Sequence, residues 1–305
     1  MQRRQFLKNG LVLTVLARTS SIYSKNLLSG NTKKLTILHT NDVHSHIEPF
    51  PENHSKNPNM GGVARRATLI EKIRSEEKNV LLVDAGDIFQ GTPYFNYYGG
   101  ELEFKLMSMM KYDVATIGNH DFDNGLEGLY KQLPHATFDF ISANYDFSNT
   151  ILDGLIKPYK IIKKDGLKIG IFGLGVQLEG LVDKKLCKET KYLNPIEISN
   201  ETALYLRKQK KCDLIVCLSH LGFAYSNIPE RISDVKLAQQ SKNIDAIIGG
   251  HTHTFLEKPV IEYNLDNQPV VINQTGCFGI NLGRLDFYFS EENTITNSGR
   301  NIELF

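Results

Sequence analysis

The feature that most constrains this chain is a recurrence. Five times a short apolar run is followed within a few residues by Asp, Asn or His. Lys34–His39 (KLTILH) leads to Asp42 and His44, and Asn79–Val83 (NVLLV) leads to Asp87. Val114–Ile117 leads to Asn119, His120, Asp121 and Asp123; Leu214–Leu218 leads to His220; Ile244–Ile248 leads to His251 and His253. Several of these runs are near-continuously apolar, as strands buried on both faces are. Phe140–Ala143, Lys168–Leu174 and Val270–Ile272 read as further strands, and Leu282–Phe289 as a late one that closes the sheet. Between them, Gly62–Glu77 sets Val63, Ala67, Ile70 and Ile73 along one helical face, and Glu101–Met110 and Thr202–Gln209 are helix-like. The alternation predicts an α/β fold.

In open α/β sheets, ligands bind beyond the carboxyl ends of the strands, which is where these polar residues fall. Glycines accompany them at Gly86, Gly118, Gly249 and Gly250, and permit tight turns and close backbone approach. Carboxylate, amide oxygen and imidazole form a mixed donor set. Such a set suits Mn, Zn, Co or Fe better than Ca, which prefers oxygen alone. The candidates exceed what one ion can use, and a carboxylate between two groups can bridge two ions. Two divalent cations are then neutralised by two aspartates and a phosphate monoester dianion. One histidine after a strand is more often an ordinary polar residue than a ligand, and His39, His46, His54 and His135 keep that reading. Five such clusters in series are much harder to attribute to chance.

The 35 basic and 34 acidic residues nearly cancel, so the balance points to no nucleic-acid groove and no polybasic membrane patch. No stretch approaches the roughly 20 apolar residues of a membrane span. Cys212 and Cys217 flank a strand-like run. Five positions apart they lie roughly 16 Å from each other at 3.3 Å per residue, too far for a disulfide. No CxxC spacing occurs, and all four cysteines, with Cys187 and Cys277, read as buried thiols. The N-terminus differs from the rest: Met1-Gln2-Arg3-Arg4-Gln5-Phe6-Leu7-Lys8, a short apolar run from Gly10 to Ala17, then small and polar residues to Ser24. Residues 1–25 read as an export signal, with Arg3-Arg4 marking the twin-arginine route and a periplasmic destination. Residues 33–305 then read as one catalytic domain.

Asn41-Asp42-Val43-His44, Gly86-Asp87, Gly118-Asn119-His120-Asp121, Ser219-His220 and Gly250-His251-Thr252-His253 occur in the order of the calcineurin-like metallophosphoesterase signature. The flanking LTILHTNDVHSHI, GGVARRATLI, DAGDIFQGTPYFNYYGG, GNHDFDNG and IIGGHTHT resemble the N-terminal catalytic domain of bacterial 5′-nucleotidases and 2′,3′-cyclic phosphodiesterases. The resemblance implies a four-layer α/β/β/α sandwich with a dinuclear metal site. It implies one ion on Asp42, His44, Asp87 and His253, and another on Asp87, Asn119, His220 and His251, with Asp87 as the bridge. His120 would be the catalytic histidine near the leaving group, held by Asp123. Asp121 stands where two-domain relatives often have Glu, and it is not expected to be a ligand.

The activity implied is metal-dependent hydrolysis of phosphate esters by in-line attack of water, most naturally on nucleotides as a 5′-nucleotidase. Alternatives on the same fold are a 2′,3′-cyclic-nucleotide phosphodiesterase, a broad phosphatase and a sulfur-ester hydrolase. An alternative of another class is a non-catalytic metal-binding subunit of a two-chain nucleotidase, which would not need His120 and Asp123. Relatives of two domains carry a C-terminal substrate domain whose rings sandwich the base. The chain is expected to lack it, so either it works alone with weak choice among leaving groups, or a separately encoded substrate domain docks against the metal face, the favoured of the two readings. Tyr94, Phe95, Tyr97 and Tyr98 within Gln90–Tyr98 could stack on a substrate, although packing is the commoner use of such rings.

Overall fold

The computed structural model describes residues 32–228, 230–290 and 295–305. The expected export signal lies outside them. Among the described residues no helix is long and apolar enough to cross a membrane. The described residues divide into two units: Leu35–Asp286 with Ser298–Phe305, and a smaller one that includes Lys34 and residues 287–290. In the smaller unit Lys34 Nζ lies 5.7 Å from the centroid of the Tyr288 ring. The larger unit carries every candidate site residue.

In chain order the strands are β1 Lys33–Thr40, β2 Val80–Asp84, β3 Val114–Thr116, β4 Asp139–Ile141, β5 Tyr145–Asp146, β6 Tyr159–Lys164, β7 Leu167–Gly175, β8 Lys191–Tyr192, β9 Leu214–His220, β10 Ala246–Gly249, β11 Val260–Tyr263, β12 Pro269–Asn273, β13 Asn281–Phe289 and β14 Ile295–Glu303. The helices are α1 Val63–Glu76, α2 Pro93–Tyr98, α3 Glu101–Met109, α4 Gly125–Gln132, α5 Lys184–Cys187, α6 Pro195–Lys208 and α7 Asp234–Gln240. The first sheet has the order β14-β13-β1-β2-β3-β4, the second β11-β12-β10-β9-β7-β6, and β5 pairs with β8 apart from both.

Parallel neighbours need a crossover, and the helices supply it. The strands β1, β2, β3 and β4 run parallel, linked through α1, then α2 and α3, then α4. In the second sheet β7, β9, β10 and β12 run parallel, with α6 and α7 between successive strands and antiparallel β6 and β11 at the edges. One apolar cluster joins α1, α3 and α4 to the first sheet through Ile70, Phe104, Leu126 and Leu82. Another joins α6 and α7 to the second sheet through Leu206, Leu237, Ile215 and Ile247. A fully buried side chain of this size contributes about 2–3 kcal/mol. The sheets' other faces meet: β3 lies against β7 and β9. A Cβ on Gly173 would lie 2.3 Å from the carbonyl oxygen of Ile141, so only glycine allows that approach. The result is the four-layer α/β/β/α arrangement.

Two expectations need correction. The strand over Leu282–Phe289 does not close its sheet, because β14 lies outside β13 at the edge. The helix expected over Thr202–Gln209 begins two turns earlier, at Pro195. Asn194 caps it by accepting a hydrogen bond from the Ile196 amide at 3.0 Å, and proline suits the first helical position. The edge strands β6 and β11 leave no apolar run in the sequence because each is partly exposed and carries polar residues.

Candidate dinuclear metal centre

The polar clusters that follow the strands are shared by two sheets. β1, β2 and β3 bring Asp42 and His44, Asp87, and Asn119 to it, while β9 and β10 bring His220, His251 and His253. Because the strands in each set are parallel, their carboxyl ends lie on the same side. The loops turn abruptly there: φ is 49° at Asp42 and His44, 57° at Asp87, 74° at His251 and 52° at His253. Left-handed backbone at residues other than glycine costs on the order of 1–3 kcal/mol each and persists only where the surroundings impose it. At Asp42, His44 and Asp87 a backbone ladder imposes it. Asp42, His44 and Ser45 donate their amides to the carbonyls of Gly86, Asp87 and Ile88 at 2.9, 3.1 and 2.9 Å.

Three residues outside the ligand set hold these loops. The buried Asp121 carboxylate accepts four backbone amides, from Asp87, Ile88, Phe89 and Gly118, at 3.1, 2.9, 3.1 and 2.8 Å. It therefore ties the loop of Asp87 to that of Asn119, a positioning role that leaves it outside the ligand set. Asn41 donates to Asp42 Oδ2 and to the Gly276 carbonyl, both at 2.6 Å, and accepts from Thr275. Gln274 donates to the Gly250 carbonyl at 2.8 Å. The sequence places Asp121 and Asn41 inside motifs without revealing what they hold, and it does not mark Gln274 at all. Gly118 is required by closeness: a Cβ there would sit 2.2 Å from Asp87 Oδ1.

Two groups of side chains converge, Asp42 with His44 and His253, and Asp87 with His220 and His251. Within each group the donor atoms lie within 4.8 Å of one another. Asp87 Oδ2 faces both groups, 3.0 Å from His220 Nε2 and 3.8 Å from His44 Nε2. His253 Nε2 lies 3.0 Å from His44 Nε2 and 3.4 Å from Asp42 Oδ1. Asn119 is buried, and its Oδ1 has no hydrogen-bond partner.

This donor set fits a pair of divalent ions. His44 and His220 each direct Nδ1 at a backbone carbonyl, Phe89 at 3.2 Å and Ala85 at 2.7 Å. That contact fixes the proton on Nδ1 and leaves Nε2 as a donor toward the centre, the usual support for a metal-bound histidine. Protons alone satisfy the site at the expense of strong charge pairing. Burial would depress His220, but the charge of Asp87 and its hydrogen bond raise it to about 10. Burial would likewise raise Asp87, and the His220 charge beside it instead holds that carboxyl well below the usual range. Hydrogen bonds to Asp42 and then Cys277 raise His253 to about 10. An orphaned buried amide oxygen, paired imidazole nitrogens and two carboxylates are together a mixed N/O set with affinity for transition-metal cations.

His120 opens the short turn after Asn119. Its amide donates to Asp87 Oδ1 at 2.8 Å, and its ring centroid lies 5.2 Å from that of His44. Nδ1 pairs with Asp123 Oδ2 at 2.9 Å. That hydrogen bond raises the imidazole's affinity for a proton above the ordinary value, against the opposing effect of burial. Its outer nitrogen is thereby oriented by Asp123.

The other histidines stand apart from the two groups. His39 is buried, lowered to about 3 by desolvation, and bonded through Nε2 to Asn273 at 2.9 Å. His46 packs between Phe50 and Phe278, and His54 against Phe50. His135 lies 3.9 Å from Glu101. In α2, Phe95 is buried against Phe89, Tyr94 bonds to Glu48, and Tyr97 and Tyr98 are exposed to solvent. All four cysteines are free and buried.

The sequence model of the calcineurin-like phosphoesterase family matches residues 35–255. The chain is 35% identical to the snake venom 5′-nucleotidase of Crotalus adamanteus over 96% of this chain and 52% of that protein. Among solved structures, a 5′-nucleotidase precursor of Thermus thermophilus superposes with a TM-score of 0.81 at 33% identity, covering 89% of this chain and 55% of that one. The NAD nucleotidase of Haemophilus influenzae superposes at 0.78 and 30% identity, covering 90% and 57%. The chain thus spans about half the length of these relatives.

Proposed function

Because this chain belongs to the calcineurin-like phosphoesterase family, we propose that it hydrolyses phosphate monoesters of nucleotides, in the manner of a 5′-nucleotidase. The observation that carries the proposal is the convergence of two ligand groups on Asp87 Oδ2 with the His120–Asp123 pair beside them. Asp42, His44, Asp87 and His253 would hold one divalent ion, and Asp87, Asn119, His220 and His251 the other. When bound, two such ions supply charge neutralisation at the phosphoryl oxygens and activation of water near neutral pH. Asp87 sets the spacing of the two ligand groups. His120, steered by Asp123, faces the leaving oxygen and donates the proton it needs. Mn, Zn, Co or Fe matches the donors. The nucleotidase relatives support a nucleotide substrate.

Purified and loaded with Mn²⁺, these 305 residues should release phosphate from 5′-AMP and lose that activity to a chelator. They should favour 5′-AMP over a simple aryl phosphate by less than about tenfold, or about 1.4 kcal/mol, because binding energy from remote parts of the substrate raises kcat only where it is used. Hydrolysis of a bis-aryl phosphate with no release from any monoester would replace this reading with a phosphodiesterase. A thousandfold preference for AMP would place base recognition within this chain.

We also propose export by the twin-arginine route to the periplasm, on the strength of Arg3-Arg4 followed by Gln-Phe-Leu-Lys. Arg3→Lys with Arg4→Lys should leave the protein in the cytoplasm with its N-terminus intact. Undiminished export of that variant excludes the route.

A further inference from the structure

Among the described residues, Arg231 is a cation beside the metal-ligand groups that none of the roles above uses. Its Nη2 lies 3.4 Å from His251 Nε2, and its guanidinium carbon lies 4.5 Å from the centroid of the Tyr225 ring. The placement is built in. The Tyr225 hydroxyl donates to the Leu221 carbonyl at 2.7 Å, which fixes the ring under the guanidinium. A Cβ on Gly222 would come within 2.4 Å of that hydroxyl, so glycine makes the room. On the other side Ile232 packs against the core of the second sheet, and Ser233 caps α7 by accepting from the Lys236 amide. Arg231 is therefore pinned from both directions.

What it lacks is an anion. Arg207 and Arg284 are paired with Asp245 and Glu77, whereas among the described residues Arg231 has no carboxylate partner. The nearby phenols do not serve as one. Burial pushes Tyr192 and Tyr225 up to about 12, so both are uncharged at neutral pH. Its single side-chain hydrogen bond is to His251, which would be a metal ligand under the proposed function. If an ion takes Nε2, the guanidinium loses that acceptor outright. If an ion takes Nδ1, Nε2 carries the ring proton and can no longer accept. In either case metal loading leaves Arg231 with uncommitted N–H donors next to two added cations. Such a position is favourable only when an anion lies between them.

We propose that Arg231, stacked on Tyr225, binds the phosphoryl group of the substrate on the side of the site formed by Asp87, His220 and His251, donating hydrogen bonds to oxygens that the metal ions leave free. The ligand class is a phosphate dianion, whether a monoester or inorganic phosphate. Charge agrees with this. The aspartates and a monoester dianion already neutralise two divalent ions, and the positive charge of Arg231 then answers the hydroxide that must attack phosphorus. A planar fork of donors suits two oxygens of one phosphoryl group.

The inference rests on the metal assignment but not on nucleotide hydrolysis, and calorimetry with inorganic phosphate tests it separately. In the Mn²⁺-loaded full chain, Arg231→Gln should weaken phosphate binding by about tenfold or more, in line with loss of a charge-assisted contact of ~1.5–3 kcal/mol. Metal content should be unchanged, and Arg231→Lys should recover part of the affinity. Hydrolysis of monoesters should fall more than hydrolysis of a bis-aryl phosphate, whose single charge asks less of the arginine. Phosphate affinity within twofold of the parent in both variants, with metal retained, would overturn the proposal. Loss of an ion from both variants would overturn it too, by assigning Arg231 to the support of His251. Weakened phosphate binding in a protein that leaves nucleotides intact would keep the site and remove the nucleotide reading.

Discussion

Asp87→Asn is expected to lose bound metal and to lower kcat/KM by more than about 10²-fold, the upper range for residues that merely support a ligand. One oxygen of Asp87 faces both ligand groups, at 3.0 Å from His220 Nε2 and 3.8 Å from His44 Nε2, whereas Asp42 Oδ1 lies 3.4 Å from His253 Nε2 and 3.9 Å from His220 Nε2. Asparagine keeps the shape, and its remaining oxygen can still accept the His120 amide that Asp87 Oδ1 accepts at 2.8 Å. The fold should therefore persist. What changes is charge: an amide nitrogen or a neutral oxygen meets the imidazole donors where a carboxylate stood. Elemental analysis of the purified variant should show fewer than two ions per chain. Two retained ions with parental turnover would mean that Asp87 bridges nothing.

His120→Ala should behave in the opposite way with respect to metal, keeping both ions while losing about 10²–10⁴-fold in rate, the span of a general acid or base. The side chain is 38% exposed, so its removal opens no buried cavity and leaves the ligands in place. Asp123→Asn should cost less, about 10–100-fold by analogy with other supporting residues, because the imidazole remains and only its orientation is lost. Since Asp123 acts through His120, the double variant should be no slower than His120→Ala alone. Full activity in His120→Ala with metal content intact would remove His120 from the mechanism. Additive losses in the double variant would give Asp123 a role of its own.

Much of the site was legible as residue type and order. Nine strands were recognisable because their apolar runs are buried on both faces, and the clusters after five of them contain every member of both converging groups. Burial requirements are local for such strands, so the pattern survives in a single sequence. The features that were missed are of another kind. The edge strands β6 and β11 show no apolar run because one side of each faces water. The start of α6 is set by a cap at Asn194 and Pro195, ahead of the periodic stretch.

The sequence by itself determined which atoms are available: imidazoles, carboxylates and an amide oxygen, with glycines where backbone must approach closely. Only the tertiary structure decided how they combine. The two ligand groups come from loops of different sheets, with Asp42 and His253 separated by more than two hundred residues yet 3.4 Å apart. The left-handed turns at Asp42, His44 and Asp87 exist because a ladder between two loops holds them. Asp121 reads as a motif acid with no ligand role and becomes the acceptor of four amides only when those loops meet. Arg231 gains its place beside His251 from a tyrosine under it and a glycine that makes room. Each of these depends on distances between segments far apart in sequence, and periodicity along one segment carries no information about them.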